Sequence, residues 1–199
     1  MYEIEPEISW HTHVGHGHDS TASRSHQRYY FDLNLLQQEQ QDPKYKNSIH
    51  TLFYLGLVHC ALMEGSEDYQ PIYNYPNATF TLEMRHHLSL HIEYLERLIR
   101  LHYDSIFQEY VYLTLRWLAY AHHYLLLQPK KAKYYYYQCI SYDPERVDCK
   151  IELGKLLTFE QNHDTAWEWS KRAFMTMEPT KAWTHTYMYD CSTPLQLAR

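Results

Sequence analysis

The stretch "IELGKLLTFEQNHDTAWEWSKRAFMTMEP", residues 151–179, decides how this chain folds. Its apolar residues recur at helical spacing, "EQNHD" interrupts the run, and "EP" closes it. The pattern predicts a pair of helices over about 146–159 and 163–177. Small residues stand at chosen places: Gly154 in the first helix, Ala166 and Ala173 in the second. Two helices can cross closely only where neither carries a bulky side chain, so these positions read as crossing points.

Stepping back 34 residues finds the same design without a gap. Ala119 and Tyr120 take the places of Leu153 and Gly154, Ala132 that of Ala166, and Cys139 that of Ala173, with Tyr136 between them. A helical chain with this period, about 34 residues, matches the tetratricopeptide pattern. That pattern puts Leu-Gly in the first helix, a large apolar residue one turn on (here Leu157), small residues in the second helix, and a proline at its end. Three places depart. Ser170 replaces the aromatic residue that Tyr136 supplies, Pro179 comes one residue late, and Tyr120 is bulky where the crossing wants a small residue. Tyr120 therefore implies a wider crossing or a shifted helix. A third copy of the first-helix signature is "LFYLGLVHCAL", with Leu55 and Gly56.

Working outward, "DP" at 42–43 separates a helix over about 23–41 from one over about 45–64. The segment "SEDYQPIYNYPNATF" then interrupts the third copy as an insertion at 65–80. Further helices are expected over 81–102, 105–128 and 129–142, the last opened by Pro129. The expected fold is all-α: a tetratricopeptide-like, antiparallel helical-hairpin array (an α-solenoid) over 23–180. An irregular His-rich arm precedes it at 1–22, with a short extended piece near 7–14, and a tail follows at 181–199.

Composition narrows the class. With only 5 glycines and 8 prolines, a sandwich or barrel full of tight turns is disfavoured. A net charge of −6 argues against nucleic acid as partner. No apolar run reaches the ~20 residues of a membrane helix. The acidic start "MYEIEPEISW" has no signal-peptide core. Cys60, Cys139, Cys149 and Cys191 show no regular spacing and read as free thiols in a reducing, cytoplasmic compartment. The Asn77-Ala78-Thr79 sequon would then go unused.

Several landmarks together resemble one group of proteins. These carry a family-2-like glycosyltransferase domain followed by a C-terminal tetratricopeptide region. The segment "HTHVGHGHDSTASRSHQRYYFDLNLLQQEQQDP" looks like the junction between the two parts, so 1–22 resembles the end of a glycosyltransferase domain. "LFYLGL" at 52–57 is similar to the next helix, 151–179 to the last repeat, and "WTHTYMYDCSTPLQLA" at 183–198 loosely to the tail. The insertion and the His- and Tyr-rich 81–125 depart from the pattern. The sequence holds no DxD motif and no α/β region before the helices, so nothing in it would hold the divalent ion and diphosphate of a transferase. The resemblance therefore implies a glycosyltransferase-associated helical module, not transferase activity.

Four histidines, His11, His13, His16 and His18, with Asp19, form the one metal-like cluster. Neutral imidazoles at His-x-His spacing could hold a divalent ion weakly, but a Gly-rich arm supplies little second shell. No other cofactor is expected. His87 and His91 have metal-pair spacing but lack the glutamate of HExxH; with His86, His122 and His123 they read as surface or groove histidines. "KKAKYYYYQC" at 130–139 could touch an anionic or glycan partner. The expected function is a non-catalytic protein-interaction or scaffold module whose partner is a protein or peptide, a glycosyltransferase domain among the candidates. Tyr112, Arg116, Tyr120 and His123 are the candidate groove. The alternatives are a fragment of a metal-dependent glycosyltransferase whose catalytic domain lies elsewhere, and a His-rich metal-binding protein.

Overall fold

The computed structural model of the chain describes residues 22–64, 80–105 and 107–176. The histidine cluster with Asp19, the extended piece at 7–14, all but the last residue of the insertion expected at 65–80, and the tail at 181–199 lie outside these residues. Seven α-helices are described: α1 (Ala22–Gln41), α2 (Ile49–Glu64), α3 (Leu82–His102), α4 (Gln108–Tyr120), α5 (Pro129–Tyr142), α6 (Asp148–Phe159) and α7 (His163–Phe174). A π turn, Ala121–Leu125, continues α4. Among the described residues every regular element is helical, and no helix is long and apolar enough to cross a membrane.

Local chemistry sets the boundaries. Asp42 Oδ1 accepts the Lys44 N–H at 2.8 Å, and Ser48 Oγ accepts the Thr51 N–H at 3.0 Å, so the "DP" turn extends to Ser48 and α2 starts later than the pattern predicts. Thr81 caps α3 by accepting the Met84 N–H at 3.2 Å, with Glu83 in the first turn and Arg100 and His102 in the last, matching the helix dipole. Pro129 opens α5, where its missing N–H breaks no bond.

Each helix packs chiefly against the next in the chain, most heavily in the pairs α2/α3, α6/α7 and α4/α5. Between α2 and α3 the helices come close at Gly56, where an added Cβ would stand 2.6 Å from Leu95 Cδ2. Leu55, Leu153, Leu157, Ala119, Ala132, Tyr136, Cys139, Ala166 and Ala173 are buried, as are Gly56 and Gly154. Tyr120 is not. It stays half-exposed, outside the core cluster that holds Ala119 and Ala132, and packs instead on Trp117 and Tyr124.

The π turn accounts for this. The α4–α5 and α6–α7 turns coincide at a step of 34: helices end at Leu125 and Phe159, residues with positive φ stand at Leu127 (51°) and Gln161 (61°), and helices restart at Pro129 and His163. In the first turn the Gln128 N–H reaches back to His122 O; in the second, the Asn162 N–H reaches only to Leu157 O. The first turn thus absorbs one extra residue, as a π turn does. Upstream of it the equivalence slips by one, and Ala119, not Tyr120, stands where Gly154 does. The predicted unbroken helix over 105–128 is corrected accordingly.

The free-thiol expectation is also corrected. Cys139 of α5 and Cys149 of α6 form a buried disulfide, ten residues apart in sequence. Cys60 is buried in α2. The pairing removes the argument for a reducing compartment that rested on free thiols.

Candidate functional site

A face with polar and aromatic side chains runs along α4, its π turn and α6. α4 presents Arg116 and Tyr120, and the π turn adds His123 and Tyr124; all four are half-buried. The Tyr124 hydroxyl donates to Glu152 Oε2 at 2.6 Å, and Lys155 Nζ donates to Glu152 Oε1 at 2.8 Å. His123 Nδ1 lies 3.0 Å from the Tyr136 hydroxyl, and its ring stacks on Tyr124 at 3.9 Å. Burial holds the His123 pKa down to about 4, so the imidazole is neutral at pH 7. Burial and the nearby Glu152 raise that of Tyr136 well above a free phenol's.

Of the four groove residues expected from sequence, Arg116, Tyr120 and His123 lie on this face. Tyr112 does not: it is 1% exposed and belongs to the core. Its hydroxyl donates to Asp148 Oδ2 at 3.1 Å, and the Arg146 guanidinium lies over its ring at 3.8 Å. The helical count placed Tyr112 one turn before Arg116, but the approach of α6 closes over it.

Beneath the face sits an ionic cluster that sequence reasoning missed. Arg146 Nη1 bonds both Glu109 oxygens at 2.7 and 2.8 Å, and its Nε reaches Asp148 Oδ2 at 3.3 Å. Arg146 and Asp148 are almost wholly buried, and Arg146 Nη2 and Asp148 Oδ1 have no hydrogen-bond partner among the described residues. The cluster ties the start of α4 to the α5–α6 turn and the start of α6. "ERVD" directly after "DP" was the available signal: a basic and an acidic residue two apart at a helix start.

Three of the long-helix histidines are corrected from surface or groove to interior, while His86 is exposed and His123 half-buried. His87, His91 and His122 are buried, as is His59, which sequence reasoning did not single out. His59 Nδ1 and His87 Nδ1 are 2.9 Å apart between α2 and α3, so one ring donates and the other accepts. His91 Nδ1 donates to Gly56 O at 2.7 Å. His122 is stacked on Tyr135 and its Nδ1 is 3.1 Å from Gln128 Oε1. Burial lowers the pKa of His59 and of His91 to about 4. Among the described residues no three His, Cys, Asp or Glu side chains are grouped to hold a metal ion.

What the α4–α6 face offers is recognition chemistry: phenol rings, one guanidinium, an amine and a carboxylate on a firmly packed base. No protein-family profile matches this sequence, and no curated protein matches it.

Proposed function

We propose that the chain is a tetratricopeptide-like interaction module associated with glycosyltransferase machinery, and that the α4–α6 face is where its partner docks. The observation that carries the repeat reading is the recurrence, at a step of 34, of helix end, left-handed residue and helix restart in the α4–α5 and α6–α7 turns. Stacked helical hairpins present one helix of each pair along a continuous surface, and extended segments bind there through side-chain pockets. The face marked by Arg116, Tyr120, His123 and Tyr124 has the aromatic and charged content of such a surface. The glycosyltransferase association is supported by the order of the junction, helix and last-repeat motifs along the sequence.

Photo-crosslinking tests the reading. A benzophenone amino acid is placed at Tyr120, and in a parallel protein at Tyr134, which is exposed on α5. In native lysate the Tyr120 probe is expected to capture one protein that the Tyr134 probe does not, with a glycosyltransferase domain found by mass spectrometry. Equal capture from both positions, or none, sinks the docking face. Capture of a protein unrelated to glycan transfer sinks the association alone.

A further inference from the structure

Charge pairing on α4 and α6 singles out one residue. Glu109 is held by Arg146, and Asp148 by Arg146 and Tyr112. Lys150 donates to Pro144 O and Thr176 Oγ1. Glu152 is held by Tyr124 and Lys155. Arg116 is the remaining charged side chain of these two helices, and it makes no hydrogen bond or ion pair among the described residues. It is half-buried, on the same face as Tyr120, His123 and Tyr124.

A half-buried guanidinium that makes no hydrogen bond or ion pair gives up part of its hydration without a bond in return. A carboxylate brought by a ligand restores the balance, because it meets the planar fork with two parallel N–H···O bonds. We propose that Arg116 receives an aspartate or glutamate side chain of an extended peptide lying along α4, flanked by the Tyr120 and Tyr124 rings. This specifies the ligand of the docking face proposed above and rests on that reading. Polyanions fit poorly: the chain carries a net −6, and Glu152 and Glu160 border the same region, so one isolated cation suits one carboxylate and not a run of phosphates. A side chain fits better than a chain terminus. Arg116 lies well inside α4, with Tyr120 and Tyr124 beyond it on the same face, so peptide running on from the carboxylate has surface to meet.

The test uses the full chain and fluorescence anisotropy with labelled peptides blocked at both ends. One carries a single central glutamate among leucine and serine residues; its twin has glutamine in place of that glutamate. A third is the glutamine peptide with a free C-terminal carboxylate. At low salt the glutamate peptide is expected to bind at least about tenfold tighter than its twin, an advantage that shrinks as salt rises. Arg116→Gln should abolish the preference while leaving circular dichroism and the thermal midpoint unchanged, because Arg116 supports no internal bond. Arg116→Lys should keep part of it. Lys133→Gln, which removes the partner of Glu160 on α5, should leave the preference intact. The proposal is overturned if both blocked peptides bind equally or not at all, if Arg116→Gln keeps the preference, or if only the free-carboxylate peptide binds. Should Tyr120 still crosslink its partner when the glutamate preference is absent, the docking face stands and the role of Arg116 alone falls.

Discussion

Gly56 shows how much one missing atom can matter. Its α-carbon sits where α2 crosses α3, and a Cβ would stand 2.6 Å from Leu95 Cδ2 and 3.0 Å from Cγ. Leu95 is wholly buried, so its side chain must shift within a packed core to make room. Alanine favours a helix over glycine by ~1 kcal/mol. Overpacking in a closed core costs about 1–3 kcal/mol, so the clash wins. Gly56→Ala is expected to lower the urea midpoint, and Gly56→Val to lower it further; an unchanged midpoint for both would refute the close crossing. Arg146 gives the opposite case, where a group is needed and not merely tolerated. Its removal leaves Asp148 buried and without its cation, for which a loss of about 3–5 kcal/mol is expected. Denaturant unfolding of Arg146→Ala and of the Arg146→Met/Asp148→Leu pair tests this. The double variant should recover stability that the single one loses, and equal losses would contradict the account. At this scale the sequence announced the small residues, because size repeats with the period. It did not announce the fate of Tyr112, the cysteines or the histidines, because each depends on which neighbouring helix arrives.

Between α2 and α3, three histidines take the place usually held by aliphatic residues. His59 and His91 have pKa values near 4 because burial disfavours the cation, against 6.5 for an exposed imidazole. The His59–His87 bond tolerates at most one imidazolium, since two would turn N–H against N–H. The folded pKa values lie below the unfolded one, so the unfolded chain takes up protons that the folded chain refuses. The stability they contribute is complete above pH 6.5 and is lost as pH falls from there through about 4. Urea midpoints across that range should fall on acidification, and His91→Gln should flatten part of the slope. A slope unchanged by the substitution would show that other groups set it. Helix positions were largely legible in sequence, because "DP", Pro129 and the apolar period mark ends and faces directly. The π turn was not. It is one surplus residue inside a helical pattern, visible beforehand only as the misfit of Tyr120.

Over the whole described chain, packing runs mainly from each helix to its successor. Terminal helices then have neighbours on one side, so α1 and α7 are expected to open before α3, α4 and α5. Amide hydrogen exchange should show protection falling toward both ends of 22–176, and uniform protection would contradict a serial arrangement. The Cys139–Cys149 link changes what such opening can release. It joins α5 to α6 across ten residues of chain. Under mechanical tension those residues stay out of the extended length. A stretched residue spans at most ~3.6 Å, and the bridge itself spans 6.4 Å, so the oxidised protein should pull out roughly 30 Å shorter than the reduced one. The last two helical pairs thus stay joined at the α5–α6 turn even when pulled, and a reductant is what releases that joint.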